Sequence, residues 1–295
     1  MGKKQGLLTL VLGFIILISF SFVVSAEQGQ PKAPIEKYRM FLNDLPKDDI
    51  ESVHKAVQEF KTLAGTNRSE NDAMFLAFRD YYYTIIKISN DKLFKKETKI
   101  SYFDNGVLWR NGLRILDYEG DPGRCFGQSP SFFCMEFQDY LSGSLNEYNQ
   151  IQKEELLETG NEEKGMYLID DLALMIAWDQ LSDRIIKWEV YLAKYPQSSL
   201  KDDVESSIRL YFNIYTTGGG LENTPAYRLG TLTDTVKVSY ERFIEHYPES
   251  KFTGLIKDYY AILRLHDFSL SPEIIEFLQQ HSIKTRYLET QLKKE

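Results

Sequence analysis

The segment YLAKYPQSSL at 191–200 is followed 52 residues later by FIEHYPESKF at 243–252, and both contain the core Tyr-Pro-x-Ser. Each copy comes directly after a run of apolar residues at helical spacing and directly before another such run. Proline disfavours helical backbone angles in the residue before it and cannot donate a hydrogen bond to the preceding turn. Each copy therefore predicts a break between two helices at its proline, and the serine of the core can cap the second helix.

The apolar residues on either side of the two cores define the helices that the cores connect. Upstream of the first core, apolar residues step by three or four over 168–195, which predicts one long helix. The helix that follows it ends at the glycine run at 218–220. The second copy predicts the same order, with helices over 229–247 and 255–263. The predicted turn residues are Pro196, Ser198, Pro248 and Ser250.

Helical hairpins of this kind leave one apolar face uncovered, and stacking a similar unit against that face buries it. The two copies also correspond outside the core, since Trp188 aligns with Tyr240 and Leu192 with Ile244. Over 168–268 the sequence resembles tetratricopeptide-like helical repeats, particularly those of bacterial envelope proteins in which an aromatic-Pro-x-Ser turn joins the helices. The resemblance implies a concave face that binds another envelope or secreted protein, or a peptide.

The remaining sequence extends the helical pattern toward both ends. Apolar residues at helical spacing predict helices over 50–64, from Ser69 onward and over 137–151. Ser271-Pro272-Glu273 predicts a last short helix, because it combines a cap, a first-turn proline and a favourable acid. The expected fold is mainly α, with stacked helical hairpins and a short β-hairpin and loop insertion around 100–135. The expected regions are a signal segment or anchor at 1–26, a helical N-terminal region at 27–165 and the repeats at 166–295.

The segment from 99 to 140 departs from helical spacing and is rich in glycine. Asn105-Gly106 stands between apolar residues and predicts the tight turn of a β-hairpin. Cys125 and Cys134 lie close together in the sequence, so in an oxidising compartment we expect them to form a disulfide that clamps the loop. Loops held on a rigid scaffold often carry function, which makes this segment a candidate site.

The first 26 residues have the features of an export signal. Lys3 and Lys4 precede an uncharged stretch at 7–24, and Val24-Ser25-Ala26 offers the small residues that a signal peptidase accepts. The stretch is also long enough to serve as an uncleaved N-terminal anchor. Either alternative places the protein outside the cytoplasm, in the periplasm or secreted.

Charge and motif content exclude several classes of function. The formal net charge of −8 becomes −10 when residues 1–26, which carry two lysines and no acid, are removed. Such an acidic chain repels nucleic acid, and no membrane contact is expected beyond the N-terminal anchor. The four histidines do not form a spaced ligand set, and the glycine run lacks the residues that hold phosphate, so we expect neither a metal nor a cofactor.

Two functions remain after these exclusions. The first is non-catalytic binding or scaffolding of a protein or peptide by the repeats. The alternative is a cell-wall-directed enzyme or inhibitor-like module that uses the aromatic-rich segment 99–140. No catalytic residue is assigned, and an enzyme is the less favoured of the two. The candidate binding residues are the aromatic side chains Trp109, Tyr118, Phe126, Tyr211, Tyr215 and Tyr259.

Overall fold

The computed structural model describes residues 33–100, 103–117 and 123–293. The export signal expected at 1–26 and the candidate residue Tyr118 lie outside the described residues. Within that part of the chain the fold is mainly α, which confirms the predicted class, and three small sheets accompany the helices. None of the described helices has the length and hydropathy that a membrane span requires.

Three helices form the N-terminal layer of the fold. They are α1 (Pro34–Asp44), α2 (Glu51–Leu63) and α3 (Arg68–Phe94). The Asn67 side chain caps α3 by accepting a hydrogen bond from the backbone N–H of Glu70 at 3.4 Å. The inner faces of the three helices are aromatic and aliphatic, with Phe60 and Phe78 fully buried. These residues recur at helical spacing, so the sequence pattern and the buried face agree.

A small mixed region follows the first layer. It consists of α4 (Asn105–Arg110), β1 (Leu113–Asp117), β2 (Arg124–Gln128), α5 (Phe132–Phe137), α6 (Gly143–Glu158) and β3 (Lys164–Gly165). Strand β1 lies in the middle of a three-stranded sheet, antiparallel to β2 and parallel to β3. The short helix α5 inserts its rings into the first layer, where Phe137 lies 4.9 Å from Phe60 and 4.8 Å from Phe78 between ring centroids.

The β-hairpin of this region does not turn at Asn105-Gly106, as the sequence predicted. Those residues begin α4, because the Asp104 side chain accepts a hydrogen bond from the backbone N–H of Gly106 at 2.7 Å and caps the helix. The hairpin is formed instead by β1 and β2, with Ile115 opposite Phe126. The Asp104 side chain, one residue upstream, thus stabilises the start of a helix at Asn105-Gly106 in place of the predicted β-turn.

The C-terminal half contains two helical hairpins and a terminal pair of helices. The first unit comprises β4 (Ile169–Asp170), β5 (Ala173–Leu174), α7 (Trp178–Lys194) and α8 (Lys201–Thr217). The second comprises β6 (Tyr227–Arg228), β7 (Thr231–Leu232), α9 (Asp234–His246) and α10 (Thr253–Leu265). Helices α11 (Pro272–Gln280) and α12 (Arg286–Leu292) follow, and α11 packs on α10.

The helix predicted over 168–195 is wrong in its first ten residues, because α7 begins only at Trp178. The preceding residues form the β4–β5 hairpin, whose turn places Asp171 and Leu172 at positive φ, which ends any helix there. The second copy differs from its prediction in the same way, since Leu229 and Gly230 turn between β6 and β7. In both units a short β-hairpin therefore precedes the helical hairpin.

The two Tyr-Pro-x-Ser turns have matching hydrogen bonds. Ser198 N–H donates to the carbonyl of Tyr195 at 3.0 Å, and Ser250 N–H donates to that of Tyr247 at 3.1 Å. Each serine Oγ also accepts a bond from the backbone N–H two residues later, at 3.2 Å in both copies. The serines therefore close the turns after Pro196 and Pro248, and α8 and α10 begin downstream without a side-chain cap.

Each turn is attached to the preceding element of the stack through its tyrosine. The Tyr195 hydroxyl donates to Glu147 of α6 at 3.0 Å, and the Tyr247 hydroxyl donates to Asp183 of α7 at 2.6 Å. Arg242 adds an ion pair with Asp183 at 2.9 Å. These bonds hold successive units side by side, and the described residues from Ala33 onward belong to one compact unit.

We expect replacement of Tyr247 by phenylalanine to lower the free energy of unfolding by about 1 kcal/mol, since the hydroxyl donates to a charged acceptor at a half-buried site. Urea denaturation followed by circular dichroism measures the change. Tyr140→Phe is the matched control, because no hydrogen bond of the Tyr140 hydroxyl to another described residue is seen. Equal stability of the two variants would contradict this role of Tyr247.

Candidate functional site

Of the six aromatic residues that the sequence proposed as binding residues, the structure brings Phe126 and Tyr211 to the lining of one depression and places Trp109 at another. Trp109 at the end of α4 is 58% exposed, whereas Phe126 is buried and packs edge-on against Phe103. Tyr118 lies outside the described residues. The three repeat tyrosines are buried: Tyr211, Tyr215 and Tyr259. Among the described candidates, Trp109 alone presents a large exposed ring.

The repeat tyrosines are core residues because neighbouring elements of the stack cover them. The Tyr215 hydroxyl lies 3.0 Å from Ser239 Oγ on α9, and the Tyr259 hydroxyl donates to the carbonyl of Thr216 at 3.0 Å. Desolvation raises the pKa of both phenols, so both stay neutral and serve as hydrogen-bonding core residues. A concave face built from these rings is therefore not available to a partner.

The disulfide predicted between Cys125 and Cys134 is not formed, and both thiols are free. Cys125 lies on β2 with its Sγ 3.0 Å from the Tyr167 hydroxyl, whereas Cys134 lies in α5 with its Sγ 3.9 Å from Gln150 Oε1. The thiols have different neighbours because Cys125 lies on the strand β2, whereas Cys134 lies on α5, which packs its rings into the aromatic core. Burial raises the pKa of both thiols, which makes them poor nucleophiles.

The described residues contain no cluster of three or more histidine, cysteine or acidic side chains that could hold a metal ion. Surface depressions are therefore the places where this part of the chain can bind another molecule. One of them is an open depression of about 620 Å³ in the C-terminal half. We call it the α8–α10 groove, and the helix face of α8, the start of α10 and the turn at 281–284 line it.

The floor of the α8–α10 groove is apolar. Phe212 and Phe252 lie with their ring centroids 4.6 Å apart, and Leu255 and Ile283 extend the apolar surface on either side. Leu210, which also lines the groove, is 54% exposed. The floor therefore offers a place for an apolar side chain of a ligand.

The turn that forms the far wall of the groove is attached to α8. Asn213 Nδ2 donates to the carbonyl of Lys284 at 3.2 Å, and Ser282 reverses the chain at positive φ. The groove is thus defined by a cross-chain hydrogen bond between α8 and the α11–α12 turn. This attachment holds the wall in place before any ligand arrives.

Positive charge surrounds the groove although the protein is acidic. Arg209, Lys251 and Lys284 line it, and Glu205 is its single carboxylate. Arg209 is partly neutralised by Glu205 at 3.7 Å. Within the described ranges, no carboxylate lies within 4 Å of the Lys251 or Lys284 ammonium, and the Lys251 ammonium lies 5.0 Å from the centre of the Phe252 ring. A negatively charged ligand is therefore favoured at this place against the charge of the whole chain.

Sequence reasoning missed this groove. Its cations are contributed by α8, by the start of α10 and by the turn at 281–284, so no local cluster of charge marks them in the sequence. Only the stacking of the units brings them together. Leu210 is the one local sequence signal of the groove, because this apolar residue lies outside the set of α8 residues that face the core.

Comparison with protein-family models, with curated proteins and with solved structures gave no match.

We expect freshly purified protein to show both cysteines as free thiols, because the structure places them against different neighbours. Intact mass after alkylation in denaturant without reductant should increase by two labels. In native protein Cys134 should react before Cys125, which is fully buried. Labelling that occurs only after reduction would show that the Cys125–Cys134 disulfide is present and would contradict this assignment.

Proposed function

We propose that the protein is a non-catalytic binding protein whose α8–α10 groove takes an acidic segment of a partner protein. The observation that carries the proposal is the pairing of an apolar floor with two lysines whose ammonium groups have no carboxylate within 4 Å among the described residues, although Glu189 accepts a hydrogen bond from the backbone N–H of Lys251 at 2.9 Å. Buried apolar contacts supply affinity and unpaired cations select the sign of the ligand. An occupant with one apolar residue between acidic ones satisfies both features.

The groove suits a segment of chain better than a compact small molecule. It is open to solvent, and its cations stand at separate places, on α8, just before α10 and on the turn at 281–284. Amphipathic segments bind such grooves with apolar anchors directed at the floor and charged residues directed at the rim. The partner is thus defined by its chemistry, an acidic peptide stretch with an apolar anchor.

The cell envelope is the proposed place of action. The export-type N-terminus supports a location outside the cytoplasm, either free or anchored by residues 7–24. The stacked hairpins, each broken by Tyr-Pro-x-Ser, support a relation to the tetratricopeptide-like proteins that the sequence resembles over 168–268. A scaffold that captures another exported protein agrees with both features.

Selection from a random peptide display library tests the groove and does not require that the partner be identified first. We expect enriched peptides to be acidic and to contain an apolar anchor. The double substitution Lys251→Glu with Lys284→Glu should weaken the best peptide about tenfold or more, and raised salt should weaken it further. Fluorescence anisotropy with the synthetic peptide measures both effects.

Lys257→Glu is the matched control for these substitutions, since Lys257 is an exposed lysine of α10 outside the groove. Its effect on peptide affinity should be less than about twofold. Enrichment of basic or uncharged peptides, or an unchanged affinity in the double variant, would contradict the proposed function.

A second function is favoured by one specific feature, the exposed Trp109. We propose it as the alternative: binding of cell-wall saccharide, with a sugar ring stacked on the indole. Trp109 lines a depression of about 230 Å³ together with His54, Gln58 and Met135. An aromatic face beside polar side chains suits the apolar face and hydroxyl groups of a sugar.

Co-sedimentation with purified cell wall separates the two functions. If saccharide binding is the function, Trp109→Ala should remove the protein from the pellet, whereas Lys251→Glu with Lys284→Glu should not. If peptide binding is the function, the wild-type protein should stay in the supernatant. Retention of the Trp109→Ala variant in the pellet would exclude the alternative.

A further inference from the structure

A cavity of about 390 Å³ lies where the β1–β2 hairpin, α3, α6 and the first helical hairpin meet. Its volume falls within the range of roughly 300–1,000 Å³ that small-molecule sites occupy. It shares no lining residue with the α8–α10 groove. The cavity therefore needs a separate explanation, and its charged residues supply one.

Arg114 brings a buried positive charge to the cavity wall. Its side chain on β1 is 1% exposed, and Nη1 donates to the carbonyls of Leu156 at 3.2 Å and Asn161 at 2.8 Å. Nη2 donates to the Leu156 carbonyl as well, at 3.2 Å. Nε is buried and has no hydrogen-bond partner, and no carboxylate of the described residues lies within 4 Å of the guanidinium. Arg114 is thus held by neutral carbonyls alone.

The free donors of Arg114 share one edge of the guanidinium. The Leu156 carbonyl takes the edge between Nη1 and Nη2, and Asn161 takes the other proton of Nη1. The Nε–H and the second proton of Nη2 remain, and together they have the spacing that matches the two oxygens of a carboxylate. An unsatisfied charged donor in a buried place is costly, and an anion would remove that cost.

Gly165 shows that the fold makes room for this guanidinium. Strand β3 runs parallel to β1, and a Cβ added to Gly165 would lie 2.4 Å from Arg114 Cζ. Any larger residue at 165 would displace the arginine from the α6 carbonyls. The backbone at Gly165 therefore lies directly against the buried Arg114 guanidinium.

A second arginine lines the same cavity beside Arg114. Arg184 of α7 is 3% exposed, and its Nη2 donates to the carbonyl of Glu155, which directly precedes the Leu156 carbonyl. The two guanidinium groups thus bind consecutive carbonyls at the C-terminal end of α6. Glu158 neutralises Arg184 at 2.8 Å. The charge of Arg114 has no such ion pair among the described residues.

The nearby carboxylates of the described residues do not contact the Arg114 guanidinium. Glu155 accepts hydrogen bonds from Trp188 Nε1 at 2.7 Å and from the Tyr211 hydroxyl at 2.8 Å, and burial raises its pKa. Glu162 acts on Arg114 through space, but its carboxylate is bonded to Ser129 and Ser131. These carboxylates are bonded to other groups, so the Nε edge of Arg114 has no carboxylate partner among the described residues.

The remaining walls are largely apolar. Ile86, Leu116, Met166 and Leu168 line the cavity, and Gln128 is tied to the Tyr83 hydroxyl at 2.7 Å. An apolar cavity with one charged place binds a molecule that has an apolar body and a single charged head. A phosphate ester would bring a second negative charge that the cavity does not match.

We propose that this cavity binds a small monocarboxylate with an apolar body, its carboxylate directed at Arg114 and its body against Ile86, Leu116 and Leu168. This site is independent of the acidic-peptide groove. It adds a small-molecule ligand to a protein for which the repeats alone indicate a macromolecular partner.

Thermal-shift and calorimetric titration of the full chain test this site with benzoate, 4-phenylbutyrate and decanoate. The matched primary amides are the neutral probes, and sulfate is the simple anion. We expect at least one carboxylate to raise Tm and bind, while its amide and sulfate do not. Equal binding of the amide, equal stabilisation by sulfate, or the failure of every carboxylate to bind would overturn the proposal.

Two variants locate the binding within the cavity. Ile86→Phe fills part of it and leaves both arginines in place, so carboxylate affinity should fall at least about tenfold. Arg114→Gln removes the charge and should abolish the difference between acid and amide. Lys257→Glu, at an exposed position of α10 outside both the cavity and the groove, should leave carboxylate affinity unchanged. Full binding by Ile86→Phe would contradict the site even if Arg114→Gln failed to fold.

Discussion

The junction of two arginines with the end of α6 is the interaction on which the rest of the structure depends. Arg114 comes from the sheet and Arg184 from the first helical hairpin, and they donate to the consecutive carbonyls of Leu156 and Glu155. The last four carbonyls of any α-helix lack partners within the helix, and a cation at that end is also favoured by the helix dipole. The two halves of the chain thus complete the same helix terminus.

This junction constrains the placement of everything that follows it. Since α7 is held against α6 by Arg184 and by the bond from Tyr195 to Glu147, the direction of the stack is set at its first unit. The bond from Tyr247 to Asp183 then places the second unit relative to the first. The stack grows by repeating one contact, a turn tyrosine bonded to a carboxylate of the preceding element.

Helix α8 separates the two candidate sites. Tyr211 lines the cavity around Arg114 and Phe212 lines the α8–α10 groove, and successive residues of a helix point about 100° apart. The second half of α8 is therefore buried on more than one side, as its run of buried residues up to Thr217 shows. Helix α8 thus lines the cavity around Arg114 on one side and the α8–α10 groove on the other.

The sequence by itself determined the helical class, the two breaks at Pro196 and Pro248 and the capped start at Ser271, because these depend on spacing and on local backbone chemistry. It misjudged Asn105-Gly106 and the start of α7, where a neighbouring cap or a short strand pairing outweighed the local pattern. Only the tertiary structure decided that Cys125 and Cys134 stay apart, that the repeat tyrosines are core, and that Arg114 meets the end of α6. The reason is physical: burial, charge pairing and the assembly of a groove from distant cations depend on which surfaces stack, and neither spacing nor composition records that arrangement.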